Sequence, residues 1–138
     1  MNKKKIIIAI LVIGIVGALV AYKMYNKPHV NVAKVSSDIT LTANDIINDF
    51  SSDENKANTK YLEKIIEVTG VVSEVKIENG KGIISLKTNH DFGSILCHLS
   101  DKETKKINTL KEEQVIKIKG ICTGYLMDVI LVKCVIIN

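Results

Sequence analysis

From Ile6 to Tyr22 the chain runs seventeen residues without a charge or a strongly polar side chain, and Lys3, Lys4 and Lys5 stand directly before that run. At about 1.5 Å of rise per helical residue it spans roughly 25 Å, near the lower limit for crossing a hydrocarbon core. Lys23 can snorkel to the interface, and Tyr22 and Tyr25 suit the aromatic belt there. The lysine cluster predicts that the N-terminus stays in the cytoplasm and that everything beyond Lys23 is exported. A cleavable signal has an apolar core of about 7–15 residues and small residues at its cleavage site. Leu19-Val20-Ala21 puts a bulky residue where a small one is wanted, and the first cysteine, Cys97, is far too distant for a lipid attachment signal. A retained single-pass anchor is therefore the expectation, with cleavage as the alternative. Gly14 and Ala18 form a small-xxx-small pair of the kind that lets two such helices meet.

The anchor changes how the charge is read. The formal net charge is +4 from 19 lysines and 15 acids, with no arginine. Lys3, Lys4, Lys5 and Lys23 account for that excess, leaving 15 lysines against 15 acids from Asn26 onward. The exported part is neutral, without a broad basic field for polyanions. It also lacks the bidentate guanidinium fork that favours phosphate. Some 110 residues remain after the anchor, which suits one domain. The expected division is anchor 1–25, linker 26–39 with Pro28, and a domain over 40–138.

Thr42-Ala43-Asn44-Asp45 supplies a hydroxyl cap and an acid in the first turn. With apolar residues three or four apart, this predicts a helix near 43–57. After Tyr61 the period becomes two. Strands are expected over 65–77, interrupted at Gly70, and over 82–88, with Asn79-Gly80 as a hairpin turn between them. In the second strand Ile84 and Leu86 should point inward and Ser85 and Lys87 outward. A third strand over 94–99 puts Ile95, Cys97 and Leu99 on one face, and a helix follows over 101–110 behind Ser100. Val115 to Cys122 alternates with Lys117 and Lys119 outward and Ile116 and Ile118 inward. Residues 124–128 turn the chain into a last strand over 129–137, where Val132 is expected inward and Ile130 opposite Cys122.

A helix between the third and fourth of five strands is the order of the OB-fold, a small Greek-key barrel. The fold class expected is mainly β: a five-stranded barrel with a preceding helix and an N-terminal transmembrane helix. Several stretches resemble the tRNA-anti-like OB-fold family: Leu41-Thr42-Ala43-Asn44-Asp45-Ile46, then Ala57-Asn58 and Tyr61, then Ile66-Glu67-Val68-Thr69-Gly70-Val71-Val72. Val115 to Tyr125 and Asp128-Val129-Ile130-Leu131 complete the likeness, over roughly 40–138. The resemblance implies a small bacterial protein, secreted or membrane-attached, of unassigned activity.

On such a barrel the ligand face lies outside strands two and three, with the loops after strands one and four. Here that predicts a face of Lys81, Ser85, Lys87, Ser94, Leu96, His98 and Tyr125. A site for single-stranded nucleic acid needs a positive groove and aromatic platforms, and this face offers one tyrosine and two lysines. No catalytic constellation, metal ligand set or cofactor motif stands out: His29, His90 and His98 are far apart, and Cys97 and His98 point to opposite faces of a strand. Asp128 reads as a turn residue. Cys97, Cys122 and Cys134 fall in inward positions, which predicts three buried thiols, with one disulfide as the alternative. The function expected is an anchored binding module, not an enzyme, whose partner is an envelope protein, a peptide or a glycan. Single-stranded nucleic acid is the alternative ligand. From a different class, an enzyme accessory or a hydrolase with an unannounced site remains the rival.

Overall fold

The computed structural model describes residues 2–26 and 30–137, so Pro28 and His29 lie outside it. The chain divides into two units, residues 1–30 and 31–138. In the first, helix α1 (Lys3–Tyr25) takes in the whole apolar run together with its flanking lysines, and none of its side chains is buried within the chain. With a mean hydropathy of 2.6 it is long and apolar enough to cross a membrane.

The second unit begins with a short strand β1 (Ile39–Thr42) and helices α2 (Ala43–Ser52) and α3 (Glu54–Tyr61). The single helix expected over 43–57 is two. Thr42 and Asp45 close a capping box at the start of α2. Asp53 then ends α2 in extended backbone and caps α3 by accepting the Lys56 amide at 3.1 Å. This elbow turns Ile46, Ile47, Phe50, Ala57 and Tyr61 into one buried plug.

Strands β2 (Ile65–Glu78), β3 (Lys81–Leu86), β4 (Ile95–Leu99), β5 (Val115–Leu126) and β6 (Asp128–Ile136) form the OB barrel. The sheet runs β1-β2-β3-β4-β6-β5, and the pairing of β2 with β5 closes it. All neighbours in the barrel are antiparallel except β4 and β6. β1 adds a sixth strand, parallel to β2. Asn79 and Gly80, both at positive φ, make the expected two-residue hairpin between Glu78 and Lys81. The helix expected over 101–110 shortens to α4 (Asp101–Thr104) and a 3-10 turn at Ile107–Thr109. Thr104 ties this segment down by accepting the Gly82 amide at 3.0 Å, and Ile107 reaches the core at that end of the barrel.

Three expectations about register are corrected. Gly70 interrupts nothing: its pairing with Ile116 is regular, and it is small because Ala43 and Leu86 pack within 3.1 Å of where a Cβ would stand. The bulge in β2 falls instead between Val72 and Glu74. Cys122 opposes Leu131, not Ile130, since Thr123 is an extra residue between the Cys122 and Gly124 pairs. Val132 faces outward, half-exposed, while Leu131 is fully buried.

The stretch expected as linker is partly folded. Residues 31–38 form a strap that opens with a turn, in which the Lys34 amide donates to the Asn31 carbonyl at 3.0 Å. Val32 is only 2% exposed yet stands outside the core cluster. Asp38 exchanges two bonds with Ile65: its amide donates to the Ile65 carbonyl at 2.8 Å, and its carboxylate accepts the Ile65 amide at 3.0 Å. Lys119, expected outward and exposed, does leave the core but is only 8% exposed, because its ammonium donates to the Val35 carbonyl at 2.7 Å.

Candidate binding face

Alternation along each strand sends one set of side chains into the barrel and the other onto its outer wall. Strand pairing carries one outer row across the sheet: Glu74 opposes Ser85, Ser85 opposes Leu96, Leu96 opposes Ile130, and Ile130 opposes Gly124. A second row sets Lys76 opposite Ile83 and Ile83 opposite His98, with Val132 opposite Ile121 on the next two strands. None of Ile83, Leu96, Ile121, Ile130 and Val132 belongs to the core cluster. Leu96, Ile121, Ile130 and Val132 are half-buried and make the middle of the outer wall aliphatic, while Ile83 is only 6% exposed and lies beneath it.

Of the residues expected to form a ligand face, Ser85, Leu96 and His98 are brought together here, with Lys81 at the edge where β3 begins. Ser85 is only 7% exposed, so it offers little of itself to a partner. The other three are held elsewhere. Lys87 is drawn into an ion pair with Glu113. Ser94 is held by Asp128, whose carboxylate accepts its amide at 2.7 Å and its hydroxyl at 3.0 Å. Asp128 is thus the clasp between the β3–β4 loop and the β5–β6 turn, more than a turn residue. Tyr125 lies in β5 and packs against the core, stacked on Phe50 with ring centroids 5.3 Å apart. Ile130 and Val132 share this wall although they were not among the residues expected there. The signal was present in the unbroken apolar run Val129-Ile130-Leu131-Val132, which implies an apolar residue on both sides of the strand.

Elsewhere the titratable groups are structural. The Tyr61 hydroxyl donates to the Asp49 carboxylate, and Lys60 approaches the same group at 3.2 Å. That bond from Tyr61 is the largest influence holding the Asp49 carboxyl below its ordinary value. Burial pushes the Tyr61 phenol up. All three cysteines are buried free thiols. Burial raises the thiol of Cys122, and that of Cys134 well above the ordinary range. Among the described residues no group of three or more His, Cys, Asp or Glu side chains is placed to hold a metal ion.

Comparison with known proteins agrees with this architecture. No curated protein sequence matches the chain. A Klebsiella pneumoniae lipoprotein, provisionally described as nucleic-acid-binding, superposes with a TM-score of 0.62 at 15% identity, over 82% of this chain and 100% of that one. A Leishmania major protein, provisionally described as an aspartyl-tRNA synthetase, superposes with a TM-score of 0.50 at 11% identity, over 88% of this chain but 26% of that one. At such identities the likeness is one of fold. The profile of the tRNA_anti-like family matches residues 1–136, extending through α1 as well as the barrel, and the chain belongs to that family.

Proposed function

We propose that this chain is a membrane-held OB-fold binding module, without catalytic chemistry, whose outer wall receives a protein or peptide partner on the exported side. The orientation rests on Lys3, Lys4 and Lys5 before the apolar run. The division into anchor, short tether and domain rests on the change from α1 to a strap-and-barrel unit.

The observation that carries the choice of partner is the fate of the aromatics. Tyr125 is stacked on Phe50, so the wall around Leu96 is mainly aliphatic, with the imidazole of His98 upon it and the exposed ring of Phe92 on the β3–β4 loop, where a nucleic-acid or sugar site would set several rings side by side. Apolar surface with a polar margin is what a protein surface or peptide covers well.

Single-stranded nucleic acid is the competing reading, and the description of the Klebsiella lipoprotein is a reason to test it directly. A photo-crosslinker at Leu96 in native membranes should capture an exported or membrane protein. Labelled thymidine oligomers at about 0.15 M salt should bind no more tightly than to an unrelated neutral protein. Micromolar oligomer binding that disappears with Lys81→Ala would replace the protein reading with the nucleic-acid one.

A further inference from the structure

The outer wall is uneven in charge, and that unevenness specifies its partner further. We infer that the wall takes an extended peptide segment whose aliphatic side chains lie on Leu96, Ile130 and Val132 and which carries acidic residues at the end facing α4. This rests on the protein or peptide reading above.

The aliphatic patch ends where β4 ends, at Leu99, and that margin is cationic. Lys81 opens β3 on one side of β4, and Lys133 lies in β6 on the other. The Gly82 amide donates to Thr104, and the Ser100 amide donates to the Cys134 carbonyl, so α4 follows between the two lysines. α4 and the residue after it add exposed Lys102 and Lys105. Among the described residues none of these four lysines meets a carboxylate within 4.0 Å, whereas Lys60, Lys76, Lys87 and Lys106 all do. The acids nearby are Asp101, Glu78, which pairs with Lys76, and Glu103, which takes Lys106 and the Ile136 amide.

A second observation points to the same margin. Lys133 has φ +53 inside a strand, a conformation a residue with a side chain avoids. It is the extra residue between the pairs Ile121–Val132 and Lys119–Val135. A bulge of this kind re-aims a side chain that regular pairing would alternate inward. The bulge leaves Lys133 exposed beside Val132. Charge complementarity with an acidic segment sets the direction in which that segment lies and its discrimination against basic ones.

The test uses the full chain in detergent micelles and two synthetic peptides sharing the core Val-Ser-Ile-Ser-Val, one ended by glutamates and one by lysines. Backbone amide shifts should centre on Leu96, His98, Ile130 and Lys133. The acid-ended peptide should bind about fivefold more tightly, the size a few exposed ion pairs supply together. The preference should invert in the double variant Lys81→Glu, Lys133→Glu, and Leu96→Asp should weaken both peptides. Equal affinity for the two peptides overturns the acidic assignment and leaves the peptide reading standing. No shift on this wall with either peptide, while a thymidine oligomer moves the same amides, overturns both.

Discussion

The ring of Tyr125 lies on that of Phe50 with planes 21° apart, and Phe50 in turn meets Tyr61 at 5.7 Å. The stack joins β5 to both helices of the plug. It gives the half-buried Tyr125 a packing role in the core.

Phe50→Ala should therefore cost about 3–5 kcal/mol and Tyr125→Ala about 1–3 kcal/mol, measured by urea unfolding of the domain from Asn31 onward. The double variant should cost less than the sum by about 0.5–1.5 kcal/mol, the coupling typical of an aromatic pair. Strict additivity would mean that the rings do not support each other.

The corrected register can be checked with neighbouring residues of β6. Leu131→Ala removes a fully buried side chain and should cost about 2–5 kcal/mol. Val132→Ala, on the outer wall, should cost under about 1 kcal/mol. The opposite ranking would shift the strand by one residue and turn Val132 inward.

Lys119 holds the strap through the Val35 carbonyl, with Lys34 exposed on the same segment. Lys119→Ala should release residues 31–38 and speed tryptic cleavage after Lys34, while cleavage within the barrel stays slow. Unchanged cleavage would mean that Val32 and Asp38 hold the strap without it.

The thiols should be silent in the folded protein. Alkylation at mild alkaline pH should leave Cys97, Cys122 and Cys134 unmodified, and unfolding should expose three, counted by mass spectrometry. Cys97 opposes Leu131 while Cys134 opposes Leu99. The register shifts between the two pairs, and the Cys97 thiol lies within hydrogen-bonding reach of Cys134, where it adds to the effect of burial in raising that thiol. A mass lower by two hydrogens would mean that these two thiols, reduced in this structure, had been oxidised to a disulfide.

The Tyr61–Asp49 bond gives stability a pH dependence of known sign. Asp49 has its carboxyl lowered from 3.8 by the Tyr61 hydroxyl, so its contribution is present above 3.8 and is lost as pH falls through the lower folded value. Tyr61 is raised from 10.0 by burial, so its contribution is present below 10.0 and is lost as pH rises through the higher folded value. Asp49→Asn should flatten the acid limb of a stability–pH curve and leave its middle nearly level. An acid limb of unchanged slope would assign the loss to other carboxylates.

Much of this was legible in residue order. The apolar run bounded by lysines defined the N-terminal helix because no surface of so small a domain could cover it. The strand order around α4, the hairpin at Asn79-Gly80, and Ile84, Leu86 and Cys97 facing inward follow from local conformational preference and a period of two. What only the tertiary structure decided is where that period breaks. The extra residues Thr123 and Lys133 exist relative to a partner strand, and no local pattern announces them. They decide that Val132 faces outward and that Lys133 stands exposed at the cationic margin. Phe50 and Tyr125 lie 75 positions apart and Val35 and Lys119 lie 84 apart, so their contacts follow from closure of the barrel. Local sequence sets which way a side chain points along its own strand; pairing between distant strands sets which of those directions is inside.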